Sequence, residues 1–495
     1  MAIIKDRTIS IAPWLCLFFI LICFLLIPHR LIVYHYLPPD DALRHAAKVI
    51  SGKEWHDILV LSNDFKVDTH PGWHSILSVI HRATGFDQYG LVGFSIVVLF
   101  FIFCLIPLCL LELPEAWVLT LLVLSVSNSS FVGRLFLGRP YIFTMAVLLY
   151  LCYRWPTLKD ARPSYRTLGM LLLLITLSTW IHGGSWYLFV IPIICFFLAG
   201  ERKAGVRIAI ASGIGILLGA VLAGHPFLFL WQNVAQAWRV FGSNISPQAL
   251  VTEFRPFNGD IVMLLIIGGI ALWSVVRGTW NIKKVYNPVF LLVVVGWCMG
   301  FFVQRMWFDY SMPALCVWIS MEFQEMLKTR VNKFSLSRVF ITAILVTVVY
   351  AGFTSDEHYH WTERAATTTL LNYANPEHEK FLPEPGGIIY SDTMAVFYDT
   401  FFKNPRAPWR YILGFEPSWM PADDLKTYRN IKKFSRATYA EPWVKKMRPQ
   451  DRFIVLGRPQ FAPPGIAGLE WHYVSDYIWI GQVPQSSGSQ SPATQ

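Results

Sequence analysis

The chain has 495 residues, of which 54% are hydrophobic and 15% are charged, and its formal net charge is +10. This composition excludes an ordinary soluble domain and is typical of a polytopic membrane protein. The positive charge does not indicate nucleic-acid binding, because lysine and arginine lie mostly in short loops between apolar segments, where they act as orientation signals. All eight cysteines lie in or beside apolar segments, so neither a disulfide framework nor a CxxC-type zinc site is expected.

The first apolar segment, about residues 11–27, is long enough with its flanks to cross a bilayer. Lys5 and Arg7 precede it and predict a cytoplasmic N-terminus. A cleaved signal peptide is the alternative, but PHRLIVYHYLPP follows instead of a small-residue cleavage site. The acidic pair Asp40–Asp41, in PPDDALRHA, is therefore expected on the outer side. Adjacent carboxylates at a membrane surface are unfavourable unless water, a cation or a substrate compensates them.

Apolar runs along the rest of the chain predict about eleven transmembrane helices, some of them short enough to be tilted, broken or re-entrant. Loops rich in lysine and arginine alternate with loops that carry few, which supports this count. An odd number of spans places the chain after about residue 353 outside the cytoplasm. The predicted spans are residues 11–33, 91–111, 115–128, 140–153, 167–181, 185–199, 206–224, 260–276, 288–303, 310–327 and 338–353.

Two polar regions are longer than simple connections. The first is an outer loop at residues 37–88, within a predicted transmembrane domain of residues 1–353, and its periodicity predicts short amphipathic helices at 41–51 and 72–84. The second, residues 354–483, predicts a small extracytoplasmic α/β domain. Its predicted strands lie in GGIIYSD, WRYILGF and DRFIVLGRP and a helix in TMAVFYDTFF, and the tail at 484–495 is expected to be disordered.

The predicted topology brings several polar motifs to the outer side of the membrane. Each motif taken alone could simply mark the point at which a helix leaves the bilayer. Together they combine carboxylates, arginines and histidines. This combination is expected of a site that binds a phosphate-bearing lipid together with a polar group to be attacked. The residues concerned are Asp40, Asp41, His70, His74, Arg134, Arg139, His182, Arg305 and Asp309.

The segments PPDDALRHAAKVISGKEW and DTHPGWHSILSVIHRATG resemble the first outer loop of GT-C membrane glycosyltransferases. They are most similar to the branch of protein O-mannosyltransferases and aminoarabinose transferases. HPGW replaces the more usual Pro-Pro-Leu of that loop, and His45 stands where a tyrosine is common. The residues that match in order and spacing are Asp40, Asp41, Arg44, Gly52, Trp55, His70, Pro71 and Gly85.

The resemblance implies transfer of a sugar from a polyprenyl-phosphate donor to a glycan, lipid or protein acceptor at the outer face. Asp40 or Asp41 is then the candidate base that accepts the acceptor's proton, with a helix N-cap as the alternative role. Cationic groups are needed for the leaving phosphate, and arginine offers a planar fork of donors. The candidate substrate-binding residues are Arg44, His70, Arg134, Arg139, His182 and Arg305, and snorkelling interfacial anchors are the alternative for the arginines.

A metal site is a further possibility in the first outer loop. His70 and His74 are candidate ligands, helped by Asp64 or Asp68, although Pro71 means that the two histidines need not share a helical face. Some GT-C relatives use a divalent cation, so Mg²⁺ or Mn²⁺ stays a candidate cofactor. In the C-terminal region Trp409, Trp419, Trp443 and Trp471 either stack on sugar rings or form the domain core.

Two other functions are compatible with a polytopic membrane protein. A transporter or flippase of lipid-linked saccharides is disfavoured because no inverted repeat is visible and the polar groups lie toward one face. An O-antigen-type polymerase or ligase has its key loop later in the chain, whereas the acidic pair comes early here. A bacterial inner membrane is favoured over the endoplasmic reticulum because the resembling branch includes many bacterial members.

Overall fold

Two compact units make up the part of the chain that this computed structural model describes. The first contains the described residues of 1–38, 67–234 and 252–366, and the second those of 39–66, 235–251 and 367–495. The first outer loop is thus divided between the units at about residue 66. The structure describes residues 2–160, 164–242, 255–329, 335–357, 361–362, 371–434, 437–457, 462–475 and 478–484; residues 485–495 of the predicted tail lie outside this set.

Helices account for most of the described chain. The two amphipathic helices predicted in the first outer loop are present as α2 and α4. In chain order the helices are α1 (Ala2–Val33), α2 (Asp41–Ser51), α3 (Trp55–Ile58), α4 (Pro71–Thr84), α5 (Gln88–Leu110), α6 (Glu115–Ser127), α7 (Ser129–Leu135), α8 (Tyr141–Leu158), α9 (Tyr165–Ile181), α10 (Val190–Leu198), α11 (Arg202–Leu222), α12 (Pro226–Gly242), α13 (Ile261–Val276), α14 (Pro288–Gly300), α15 (Gln304–Met306), α16 (Met312–Lys328), α17 (Leu336–Thr354), α18 (Pro376–Glu379), α19 (Met394–Lys403), α20 (Ala422–Phe434) and α21 (Glu441–Lys446).

Four helices among the described residues are long and apolar enough to cross a membrane: α1 from Ile11 onward, α5, α11 and α17. The pair α6 and α7, bent by 118°, gives a fifth if it forms one span. Each of the eleven predicted runs is helical, but several, such as α13 and α14, are shorter than the roughly 20 residues that a straight span needs. The chain is an integral membrane protein, and the count of eleven crossings stays a prediction.

Close helix packing in the first unit uses small residues where α11 meets α9. Gly215 and Gly219 form a GxxxG motif. A Cβ at Gly215 would lie 2.9 Å from Ile175 Cγ2, and a Cβ at Gly219 would lie 2.6 Å from the Thr176 carbonyl oxygen. Because lipid tails are as apolar as leucine, such close backbone approach is what drives two membrane helices together.

Glu115 and Arg338 form a buried ion pair between α6 and α17. Arg338 donates from Nε and Nη2 to the two carboxylate oxygens at 2.7 and 2.9 Å, and Thr342 donates to the same carboxylate at 3.2 Å. The two charged side chains are only 5% and 8% exposed. The bidentate geometry compensates the loss of water on both ions, so each charge depends on the other.

The second unit is built on a five-stranded sheet in the order β2-β1-β3-β5-β4. Its strands are β1 (Ile388–Tyr390), β2 (Arg410–Tyr411), β3 (Arg452–Leu456), β4 (Glu470–Ser475) and β5 (Ile478–Gln482). Strands β1, β2 and β3 are parallel, with α19 as the crossover from β1 to β2, while β5 and β4 add an antiparallel ribbon. The predicted strands and helix are found at β1, β2, β3 and α19, and the β4–β5 ribbon was not predicted.

The first outer loop contributes to this sheet unit. Leu59 forms a parallel bridge with Tyr411, and Val60 donates its backbone N–H to the Tyr411 carbonyl at 2.9 Å. The chain after α3 thereby extends the β2 edge of the sheet, and this packing groups α2 and α3 with the C-terminal region. Trp409, Trp419 and Trp443 are at most 2% exposed, so these three tryptophans are core residues and do not offer faces to a sugar.

Substitution of Glu115 tests the buried ion pair. We expect Glu115→Ala to lower the free energy of unfolding by roughly 3–5 kcal/mol, because Arg338 stays buried without that carboxylate. Denaturant unfolding in detergent, followed by circular dichroism, measures the change.

Glu112 offers a matched control for this substitution. It pairs with Lys328 at 2.8 Å, but the two side chains are 55% and 40% exposed. Glu112→Ala should therefore lower the free energy of unfolding by less than about 1 kcal/mol. Equal effects of the two substitutions would contradict a special role for the buried pair.

Candidate active site

Asp40 ends the extended segment before α2 and serves as its N-cap. Its side chain accepts a hydrogen bond from the Asp41 backbone N–H at 2.6 Å, and its carbonyl accepts from the Leu43 N–H at 2.9 Å. The residue is 9% exposed. The capping role considered from the sequence is therefore present, and it fixes the direction of one carboxylate at the start of the helix.

Asp41, in the first turn of α2, accepts two side-chain hydrogen bonds in the second unit. Arg44 Nε donates to its Oδ1 at 2.6 Å, and the Tyr398 hydroxyl of α19 donates to the same oxygen at 3.1 Å. The Arg44 guanidinium also lies 4.2 Å from the ring centroid of Phe415. Arg44 is 3% exposed, so this arginine orients the carboxylate from within the packed unit.

A second cluster, in the first unit, contains the three arginines that the sequence singled out. Arg134 Nη2 and Arg305 Nε each donate to one oxygen of Asp309, both at 2.7 Å. The guanidinium carbons of Arg134, Arg139 and Arg305 lie 4.9, 5.8 and 5.8 Å from the ring centroid of Tyr141. The arginine cluster, as we call these five residues, thus gathers three cations around one carboxylate and one buried phenol.

The break between α6 and α7 places Arg134 in the arginine cluster. Asn128 caps α7 by accepting from the Phe131 N–H at 2.8 Å, and its amide donates to the Asp260 carboxylate. Asp260 in turn caps α13 through the Met263 N–H. Asparagine and aspartate are favoured caps because their side chains replace the missing backbone acceptors of the first turn. The polar side chains at this sharp bend are therefore hydrogen-bonded inside the bundle.

Asp309 lies in a π-helical turn, Trp307–Ser311, between α15 and α16. Ser311 donates to the Val293 carbonyl at 2.6 Å, and the Trp307 ring stacks on Phe257 with centroids 5.4 Å apart. Such turns are rare and occur frequently at functional sites. Together with the preceding short helix α15, the turn brings Arg305 and Asp309 into direct contact.

His182 and His70 border the arginine cluster. Arg305 Nη2 lies 3.3 Å from His182 Nε2, and because a guanidinium can only donate, this imidazole nitrogen is the acceptor. The rings of His70 and His182 have centroids 5.3 Å apart. The Gly183 N–H donates to the Thr69 carbonyl at 3.1 Å, which ties the turn after α9 to the residues before α4.

The glycine of the HPGW motif has a packing reason in this arrangement. A Cβ on Gly72 would lie 2.5 Å from Trp180 Cδ2 and 2.7 Å from the Trp180 carbonyl oxygen. The end of α9 therefore approaches α4 too closely for any larger residue. This contact holds His70 and His182, one on each segment, in their positions.

The candidate metal ligands do not form a cluster of three or more among the residues that the structure describes. His74 Nδ1 contacts Asp68 Oδ2, and Asp68 Oδ1 accepts from the His70 backbone N–H at 3.0 Å. Asp64 pairs instead with Arg239 at 2.8 Å. The divalent cation stays a prediction, with His74 and Asp68 as the side chains that are already adjacent.

Three side chains of these clusters were not among the candidate binding or catalytic residues chosen from the sequence: Tyr141, Asp309 and Tyr398. Tyr141 follows directly on GRP, and Asp309 lies in QRMWFDY, so both belong to polar motifs that the sequence shows, but no local pattern indicates which side chains they contact. Tyr398 is 357 residues away from Asp41 along the chain, and no local pattern connects them.

No protein-family model matches the sequence, and a search of curated proteins also gives no match. Several solved structures are similar to this chain in fold. ArnT from Cupriavidus metallidurans in its apo state aligns with a TM-score of 0.56 at 12% identity, over 92% of this chain and 97% of that one. ArnT bound to undecaprenyl phosphate gives the same TM-score and identity, over 98% and 99% of the two chains.

A third solved structure is the Archaeoglobus fulgidus oligosaccharyltransferase tethered to an acceptor peptide. It aligns with a TM-score of 0.53 at 12% identity, over 88% of this chain and 68% of that one. At such low identity the likeness establishes architecture and does not transfer an activity. The chain shares the fold of these solved structures, in agreement with the architecture that the resemblance of its first outer loop predicted.

Proposed function

We propose that this protein is a membrane glycosyltransferase that moves a sugar from a polyprenyl-phosphate carrier to an acceptor at the extracytoplasmic face. The observation that carries the proposal is the arginine cluster on a GT-C fold. Its three guanidinium groups are planar donor forks of the kind that bind phosphate, and Asp309 holds two of them in place. An anionic substrate group is the natural complement of such donors.

The charge of the arginine cluster suits a leaving phosphate better than the bound donor. A sugar linked to a lipid phosphate carries one negative charge, and the phosphate gains a second as the anomeric C–O bond breaks. Fixed cations interact more strongly with the second state, so they stabilise the transition state more than the ground state. Asp309 keeps Arg134 and Arg305 in place before the substrate binds, which avoids reorganisation during the reaction.

The carboxylates of α2 supply the other half of the chemistry in this proposal. The acceptor's oxygen or nitrogen forms the bond to the anomeric carbon, its proton passes to Asp40, and the electron pair of the broken C–O bond leaves with the lipid phosphate. Asp41, oriented by Arg44 and Tyr398, positions the acceptor by accepting its hydrogen bond. The C. metallidurans structure with undecaprenyl phosphate and the A. fulgidus structure with an acceptor peptide support these two substrate classes.

Substitution of each aspartate by asparagine separates chemistry from helix capping. Asparagine caps a helix as well as aspartate does, so Asp40→Asn keeps the fold of α2 but removes the base. We expect sugar transfer to fall by roughly 10²–10⁴-fold in Asp40→Asn, the usual contribution of a general base, and to fall less in Asp41→Asn. Initial rates with purified protein and a lipid-linked donor measure the effect.

Asp87 gives the matched control, because it caps α5 by accepting from the Gly90 N–H at 2.9 Å. Asp87→Asn should leave the transfer rate unchanged. If the Asp40 and Asp41 variants both keep full activity, the acid-base role is excluded. Movement of a lipid-linked saccharide across proteoliposomes without a new glycosidic bond would instead indicate a flippase.

Arg305 tests the phosphate role of the arginine cluster. Arg305→Gln removes a charge beside Asp309 and is expected to lower kcat/KM by roughly 10²–10³-fold, as the loss of a transition-state donor does. Arg305→Lys keeps the charge without the planar fork, so its kcat/KM should lie between that of Arg305→Gln and that of the native protein. Arg239→Gln breaks an exposed ion pair and should leave kcat/KM unchanged. Equal losses in the Arg305 and Arg239 variants would contradict the assignment.

The proposed orientation has a cytoplasmic N-terminus, an extracytoplasmic second unit and a bacterial inner membrane as its location. The basic loop that contains Arg277, Lys283 and Lys284 is then cytoplasmic. Alkaline phosphatase fused after residue 482 should be active in bacterial cells, whereas a fusion truncated after residue 285 should be inactive. The reverse pattern would overturn the orientation.

A further inference from the structure

A cavity of about 320 Å³ lies in the first unit, beside the ends of α13 and α16 and the loop that follows α13. None of its lining residues belongs to the candidate active site. This volume is at the lower end of the range for small-molecule pockets. The cavity is lined mainly by polar and charged side chains, among them Arg277, Lys284, Glu322 and Glu325.

This cavity offers hydrogen-bond acceptors, with the Glu322 carboxylate in its interior and the Glu325 carboxylate, 68% exposed, at its rim. Lys284 lies 2.6 Å from Glu322 and 3.4 Å from Glu325, so a single ammonium group serves two carboxylates. The Thr279 and Thr329 hydroxyls donate to backbone carbonyls at 3.3 and 2.9 Å. Their oxygen atoms can therefore still accept hydrogen bonds. Such a lining suits a second cationic amine better than an anion.

Arg277 supplies the opposite charge at the edge of the cavity. Its guanidinium lies 4.6 Å from the ring centroid of Trp273, and within the described part of the chain it makes no ion pair with a carboxylate. A guanidinium in this setting binds a phosphate through two parallel hydrogen bonds. Carboxylate acceptors and a guanidinium group therefore line the same cavity.

The surroundings of the cavity include an exposed apolar face of α13. Leu272 and Val276, on the last turns of α13, are 64% and 74% exposed, and Trp273 between them is 38% exposed. Tryptophan beside exposed aliphatic side chains at the end of an apolar helix marks the level of the membrane interface. A headgroup in the cavity would leave its acyl chains against this face of α13.

We propose that this cavity binds a phospholipid whose headgroup is a phosphodiester bearing a primary amine, as in phosphatidylethanolamine. The ammonium group donates to Glu322 and Glu325, and the phosphate accepts from Arg277. The two carboxylates disfavour purely anionic headgroups such as phosphatidylglycerol. The trimethylated amine of phosphatidylcholine has no N–H to donate, so it is disfavoured as well.

Native mass spectrometry of the full-length protein in detergent tests the proposal. The protein is mixed with equal amounts of phosphatidylethanolamine, phosphatidylglycerol and phosphatidylcholine, and the fraction of protein that retains each lipid is measured. We expect one phosphatidylethanolamine to be retained in preference to the other two. Equal retention of the three lipids, or preference for phosphatidylglycerol, would overturn the proposal even without any variant.

Single substitutions locate the binding. Arg277→Gln and Glu325→Gln should each weaken phosphatidylethanolamine retention by roughly tenfold, the effect of losing one charge-assisted hydrogen bond. Lys283→Gln removes a charge from the same loop at a residue that does not line the cavity, so it is the control and should change nothing. Unchanged retention in both cavity variants would place the lipid elsewhere and refute the site. Because sugar transfer is not measured, this result is independent of the proposed function.

Discussion

The arginine cluster depends on one carboxylate, that of Asp309, which holds Arg134 and Arg305 on its two oxygens at 2.7 Å. Bringing three guanidinium groups together inside a helical membrane unit is unfavourable, because like charges repel and burial removes their water. The shared carboxylate offsets part of that cost and fixes the geometry of two of the three guanidinium groups. In the proposed function these positioned donors bind the phosphate of the lipid-linked donor.

Two residues of this cluster, and His182 at its border, lie where a helix is interrupted. Arg134 follows the bend at Asn128, His182 precedes a 3₁₀ turn at Gly183–Phe189, and Asp309 lies in the π-helical turn Trp307–Ser311. Irregular backbone at membrane depth is tolerated only where protein or water satisfies its polar groups. Here the Asn128 side chain accepts from the Phe131 N–H, and the Gly183 N–H donates to the Thr69 carbonyl. The interruptions that weaken the bundle are therefore the same features that direct polar side chains into it.

The acidic pair is supported in a different way. Asp40 and Asp41 begin α2, and α2 packs in a unit whose other parts come from the distant C-terminal region, including Tyr398 and Phe415. Arg44 is sequestered between the Asp41 carboxylate and the Phe415 ring, so it orients a neighbour and has little freedom to reach a substrate. Arg44 therefore positions the neighbouring carboxylate, and its role as a substrate ligand stays a prediction.

Local sequence patterns are enough to predict the helical runs, the two amphipathic helices of the first outer loop and three strands of the sheet, because hydrophobic period and turn residues are local signals. It also identified the arginines and the acidic pair, since charged residues beside apolar segments stand out. The meeting of Arg134, Arg139 and Arg305 around Tyr141, and of Asp41 with Tyr398, follows only from the tertiary fold. A helix bend and a π-helical turn bring Arg134 to Asp309, 175 positions away, and Asp41 meets Tyr398 across 357 positions. Neither such distances nor the backbone irregularities leave a periodic mark in the sequence.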